Sequence, residues 1–143
     1  MRMGMPILLV EDDEVDVENI VRAFKKNKIA NPLFITGNGE EALRFLLHEG
    51  EYRDAEKYPR PGVIILDLNM PVMNGIEFLK IVKAEGDFKT IPVVVLTTSQ
   101  EENFRVDSFK LGVAGYVIKP LDFGNFVNAV NTIDLYWTLS ETC

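Results

Sequence analysis

The chain reads as an α/β fold: a doubly wound, five-stranded parallel sheet in a single domain over residues 1–143, with its core between about residues 6 and 139. Three observations lead there. Short apolar runs alternate five times with longer amphipathic ones, the pattern of successive βαβ units. The apolar runs are rich in β-branched residues and nearly free of polar positions, as strands covered on both faces are. A length of 143 residues with 47% hydrophobic content suits one domain with one core and leaves no room for a second.

"PILLV" (6–10) is the first strand and runs straight into acids. In the next segment, a helix, Val17, Ile20, Val21 and Phe24 recur at helical spacing. "LFITG" (33–37) is the second strand, and Ala42, Leu43, Leu46 and Leu47 mark the apolar stripe of the second helix. Residues 49–62, "EGEYRDAEKYPRPG", are polar, carry two prolines and exceed most αβ connections, so they read as a surface insertion and a candidate recognition loop. "GVIIL" (62–66) is the third strand, ending at Asp67, with Ile76, Leu79, Lys80 and Val82 in the third helix. "IPVVVLT" (91–97) and "GYVIK" (115–119) complete the strands. Phe104 to Leu111 forms the fourth helix and Phe123 to Leu139 the last, with Phe126, Val127, Val130 and Ile133 facing inward. Only "SETC" remains after it, so output is expected through the domain's own surface.

Composition narrows the function classes. A net charge of −7, without a basic cluster, argues against a nucleic-acid footprint and for proteins or small cations as partners. Cys143 is the single cysteine, which excludes an intrachain disulfide and a thiolate metal cage. The apolar run near the N-terminus is too short for a signal peptide, and no stretch reaches transmembrane length. The expectation is a soluble cytoplasmic protein with no membrane partner.

In an open α/β sheet, ligands bind beyond the carboxyl ends of the strands. The residues there are Glu11, Asp12, Asp13 and Glu14 after the first strand, Asp67 after the third, Thr97 and Thr98 after the fourth, and Lys119 with Pro120 after the fifth. Parallel strands with right-handed crossovers make the first and third neighbours, which brings Glu11 and Asp12 near Asp67. Carboxylates gathered this way repel unless a cation sits among them, and a hard ion such as Mg²⁺ takes oxygen ligands of this kind. With a lysine and a hydroxyl beside it, a carboxylate nucleophile and metal suit capture of a phosphoryl group. Each residue also has a plainer reading. Acids suit a helix N-terminus, Asp67 could be a turn residue, Tyr116 a core aromatic, and His48 a solvated residue with no partner. The whole set, in order at strand ends, favours the site for Glu11, Asp12, Asp67, Thr97 and Lys119, leaving Asp13 and Glu14 to capping or solvent.

"LLVEDD", "DLNMPVMNG", "VVVLTTS" and "GYVIKP" together resemble the receiver domain of bacterial two-component response regulators over roughly Pro6 to Leu139. The resemblance implies a flavodoxin-like receiver fold with strand order 2-1-3-4-5. It implies that Asp67 accepts phosphate from a sensor histidine kinase, that Asp12 and Asp67 ligate Mg²⁺ directly, and that Glu11 acts mostly through water. It further implies that the backbone carbonyl of Asn69 completes the metal ligands and that Lys119 pairs with phosphoryl oxygens. By the same analogy Thr97 and Tyr116 form a switch pair, Lys119–Pro120 is a cis-peptide candidate, and Gly75 opens the third helix. The insertion 49–62 and the phrase "RPGVIILDLNMP" resemble single-domain regulators partnered with phytochrome-like histidine kinases. Phosphorylation would then change the face formed by the fourth helix, fifth strand and fifth helix, altering homodimer formation or partner binding. Phosphoryl transfer and slow dephosphorylation would be self-catalysed, in a protein that is not a conventional enzyme.

Three other classes compete. A phosphohydrolase of the aspartyl-phosphate type wants a second acid two residues past its nucleophile, where this chain has Asn69. A flavodoxin-like FMN carrier wants a hydroxyl- and glycine-rich loop where this chain has "EDDE". A receiver-like interaction module that takes no phosphate has every site position filled without using it.

Overall fold

The structure, a computed structural model, describes residues 4–26, 30–68, 73, 75–97, 113 and 115–118. Five parallel strands form one sheet: β1 (Ile7–Val10), β2 (Leu33–Thr36), β3 (Val63–Asp67), β4 (Val93–Thr97) and β5 (Gly115–Ile118). Their spatial order is β2-β1-β3-β4-β5, as expected. Three helices are described: α1 (Glu14–Lys26), α2 (Gly39–Leu47) and α3 (Gly75–Ala84). The stretches expected to form the fourth and fifth helices lie outside the described residues.

Successive residues of a strand face opposite sides of a sheet, so apolar runs without polar positions build two cores at once. Leu8, Val10, Ile64, Leu66, Val93 and Val95 pack with Ala42, Phe45 and Leu46 of α2 and Ile76, Phe78, Leu79 and Val82 of α3. Ile7, Leu9, Val63, Ile65, Val94 and Leu96 pack with Ile20, Ala23 and Phe24 of α1. The sheet is therefore doubly wound. Register places Val10 beside both Thr36 and Leu66, and Asp67 beside Leu96, so the carboxyl ends of β1, β2, β3 and β4 share one edge.

Four details differ from the sequence expectation. Asp67 is the last residue of β3, buried and in the ladder, because its strand runs one residue further than the apolar pattern suggested. β2 is not covered on both faces: it lies at the edge of the sheet, and Ile35 is 46% exposed. In α2, Phe45 points inward and Leu47 is 50% exposed, a helical rotation that aromatic partners from outside the helix decide. His48, read as solvated, closes α2 in the left-handed conformation at φ 55°. Its Nε2 lies 2.8 Å from the Tyr58 carbonyl, which can only accept, so the ring nitrogen is the donor.

Residues 49–62 are more than a surface loop. Gly50–Tyr52 makes a single 3₁₀ turn, and Tyr52 is buried. Tyr52 and Tyr58 close a ring cluster with Phe34 and Phe45, with centroid separations from 4.9 to 6.2 Å. Tilted and edge-on packing of this kind adds to the area buried. The connection thus covers the side of the sheet next to β2.

Candidate functional site

β1 ends at Val10, and the chain turns at once into α1. Asp13 caps that helix: its Oδ1 accepts the N–H groups of Val15 at 2.8 Å and Asp16 at 3.3 Å. Capping occupies Asp13 as the sequence suggested and leaves Glu11 and Asp12 at the sheet edge. Glu11 is 2% exposed, its main chain tied to β2 by a hydrogen bond from its N–H to the Thr36 carbonyl at 3.0 Å. Its Oε1 accepts the Asp13 N–H at 3.1 Å. Asp12 is exposed.

Asp67 is buried at 2% exposure at the end of the neighbouring strand. Main-chain bonds anchor the segment after it at both ends, from Leu68 N–H to Leu96 O at 3.2 Å and from Gly75 N–H to Leu68 O at 3.0 Å. Gly75 opens α3 and has no room for a side chain, since a Cβ there would lie 2.5 Å from Asp67 O and from Leu68 Cα. Met73 takes a positive φ of 49° and wedges its main chain and side chain against Gly39, at the start of α2.

Oxygens of Glu11, Asp12 and Asp67 all lie within 4.8 Å of one another. Sequence reasoning grouped these three, and the fold brings them together. For the buried pair Glu11 and Asp67, repulsion at that spacing is roughly 3 kcal/mol at an effective dielectric of about 20. A divalent cation among the oxygens reverses the sign of that interaction. An all-oxygen donor set, two members buried and one open to solvent, fits a hard ion that keeps part of its water shell.

Thr97 ends β4, paired with Ile118, and Tyr116 pairs with Val95. Thr97 thus stands at the carboxyl end of β4, next along that strand to Leu96, the partner of Asp67, while the side chains of Thr97 and Tyr116 lie outside the described set. Asn69, Lys119 and Pro120 also lie outside the described residues, as does Thr98.

Three residues escaped the sequence reading. Asn38 caps α2 by accepting the Glu41 N–H at 2.9 Å, and Glu41 reaches back to accept the Gly37 N–H at 2.8 Å. The signal was an acid three residues past an asparagine, the pattern of a capping box. Here the acid grips one residue further back than usual. Tyr52, buried in the polar-looking connection, donates to Glu41 Oε1 at 2.6 Å and had no local signal.

Comparison with known proteins adds three relatives and a family. The family model described as the response regulator receiver domain matches residues 7–131. Response regulator Rcp1 of Synechocystis sp. is 40% identical over 136 residues, spanning 95% of this chain and 90% of that protein. The crystal structure of its Mn²⁺-bound form superposes with a TM-score of 0.74 at 39% identity, covering 93% of this chain and 94% of that one. The bacteriophytochrome response regulator RtBRR gives a TM-score of 0.85 at 44% identity over 92% of this chain and 78% of that one. The phosphorylated cyanobacterial phytochrome response regulator RcpA gives 0.76 at 35% identity, with 94% of each chain covered.

Proposed function

The chain belongs to the response regulator receiver domain family, and we propose that it is a phosphorylation switch in which Asp67 accepts a phosphoryl group from a sensor histidine kinase. The observation that carries this reading is the acidic triplet Glu11, Asp12 and Asp67 at adjacent strand ends, with Asp67 held rigidly in the ladder. A carboxylate oxygen of Asp67 attacks phosphorus, the bond to the donor histidine nitrogen breaks, and the imidazole leaves as a neutral ring after taking up a proton. Glu11, Asp12, Asp67 and the main-chain carbonyl of Asn69 would hold Mg²⁺. When bound, that ion neutralises charge on the transferring group.

Lys119 pairs with the phosphoryl oxygens, and Thr97 and Tyr116 relay the change to the surface that forms a homodimer or meets a partner. Later hydrolysis of the acyl phosphate by water resets the switch without a separate enzyme. The kinship with phytochrome response regulators supports a phytochrome-like kinase as donor. Among the described residues no helix is long and apolar enough to cross a membrane. In this reading the regulator meets its kinase in the cytoplasm.

Intact mass after incubation with Mg²⁺ and acetyl phosphate tests the reading. Wild type is expected to gain a single phosphoryl group and Asp67→Asn none. If wild type gains no mass and binds no beryllofluoride, the phosphoacceptor reading falls, and an interaction module that takes no phosphate replaces it.

A further inference from the structure

A line of hydrogen-bonded groups runs from the 49–62 connection into the acidic site. Tyr52 Oη donates to Glu41 Oε1 at 2.6 Å, and Glu41 Oε2 accepts the Gly37 N–H at 2.8 Å. The Thr36 carbonyl accepts the Glu11 N–H at 3.0 Å. The Gly37 N–H and the Thr36 carbonyl belong to the same peptide group. That group is planar and trans, so its N–H and C=O point in opposite directions from one rigid unit. Glu41 therefore grips one end of a plane whose other end holds Glu11.

The plane has little freedom otherwise. The buried Thr36 hydroxyl donates to Leu9 O at 3.2 Å, which holds the strand side in place. On the helix side, the Asn38 cap fixes the Glu41 main chain. A hydrogen bond to a carboxylate is stronger than one between neutral groups, and it polarises the amide, which makes the Thr36 carbonyl a better acceptor for Glu11. Burial first, and then the bond and charge of Glu41, push the Tyr52 hydroxyl above the ordinary tyrosine range, so it stays a donor at neutral pH. The site's side of this line is short, because Oε1 of Glu11 is itself held by the Asp13 N–H.

We propose that Glu41, held by Tyr52, is a positioning residue for the divalent-cation site, fixing through the Thr36–Gly37 peptide the backbone from which Glu11 reaches the ion. This rests on the metal-binding reading above. It gives the 49–62 connection an effect on the site without contact with it: Tyr52 reaches Glu41, Glu41 sets the peptide, and the peptide sets Glu11.

The test is a Mn²⁺ titration followed by electron paramagnetic resonance, with Mg²⁺ as competitor, on wild type, Glu41→Ala, Tyr52→Phe and Glu40→Ala. Glu40 is an exposed neighbour that controls for the lost charge. Loss of a group bonded directly to a metal-ligating side chain costs about 10–100-fold in affinity, and Glu41 acts one peptide further away. Glu41→Ala is therefore expected to weaken Mn²⁺ binding about three- to tenfold and Tyr52→Phe about two- to threefold, with Glu40→Ala unchanged. Amide exchange at Glu11, read by NMR in the same variants, should speed up in the first two only. If both variants bind Mn²⁺ as wild type does and Glu11 exchange is unchanged, the proposal is overturned even where their unfolding midpoints fall. Should Glu41→Ala not fold, Tyr52→Phe, which keeps the ring and loses one hydroxyl, decides by the same two readouts. A wild type that binds no Mn²⁺ overturns the metal-binding reading itself, an outcome distinct from equal binding by all variants.

Discussion

Replacing Gly75 with alanine sets two physical effects against each other. Helix propensity alone favours the change, since glycine costs up to about 1 kcal/mol relative to alanine inside a helix. Packing opposes it. The added Cβ would lie 2.5 Å from Asp67 O and Leu68 Cα and 2.9 Å from Leu68 Cδ2, whereas ordinary contact begins at 3.4 Å. Both nearest atoms are main chain, so a deficit of about 0.9 Å must be met by moving the backbone that carries Asp67. Overpacking of this kind costs about 1–3 kcal/mol; from its upper half, less the propensity gain, the net loss is about 1–2 kcal/mol. The chemical effect is larger in proportion, because a misplacement of about 1 Å at a reacting group costs on the order of 100-fold in rate. The Asp67 carboxylate moves by less than that, and a fall of about tenfold in phosphorylation rate is expected. Urea unfolding measures the first quantity, and the initial rate of mass gain from acetyl phosphate at saturating Mg²⁺ the second. A variant at least as stable as wild type that also phosphorylates at the wild-type rate would refute the reasoning, since propensity would then have won and the close approach would carry no strain.

Two further consequences concern the 49–62 connection. Phe45→Ala removes a ring that is 1% exposed and packed against Phe34, Tyr52 and Tyr58, and should destabilise the protein by about 3–5 kcal/mol in equilibrium unfolding. A loss below about 1 kcal/mol would mean that the connection is not docked on α2. The Tyr52 hydroxyl, raised in the fold by burial and by Glu41, contributes stability that is fully present below the unfolded tyrosine value of about 10 and is lost as pH rises beyond it. Stability should therefore fall more steeply above pH 10 in wild type than in Tyr52→Phe, and equal slopes would show that the hydroxyl titrates alike in both states.

How much of this was legible in the residues can be judged from particular positions. The parallel sheet, the pairing of its first and third strands and the meeting of Glu11, Asp12 and Asp67 follow from apolar runs that end in acids, because βαβ handedness leaves few ways to arrange them, whereas the full strand order came from the family resemblance. The stripe of α2 was not legible in the same way. Leu43 and Leu47 satisfy helical spacing about as well as Phe45 does, and what turns Phe45 inward is Tyr52 and Tyr58, residues outside the helix in a segment that looks polar. Local periodicity contains no information about a partner supplied by another segment. His48 was misread for the same reason, since its acceptor is a main-chain carbonyl ten residues away.

The polar look of 49–62 conceals a division of labour within it. Its charged side chains, Glu49, Glu51, Arg53, Asp54, Glu56, Lys57 and Arg60, stay exposed, while Tyr52 is buried and Tyr58 packs against the core. The cover lies on a face of the sheet, where the rings of Tyr52 and Tyr58 pack on Phe34 of β2 and Phe45 of α2. Covering that side brings Tyr52 to the first turn of α2, where Glu41 already faces back toward the peptide that ends β2. On the other side of the same turn, Met73 of the segment after Asp67 presses on Gly39. The start of α2 therefore has two mechanical neighbours, Tyr52 of the cover and Met73, past the phosphoacceptor candidate. A change at Asp67 that shifts Met73 would be felt at Glu41, and the polarity of the line from Tyr52 to Glu11 means that the site in turn depends on how well the cover is seated.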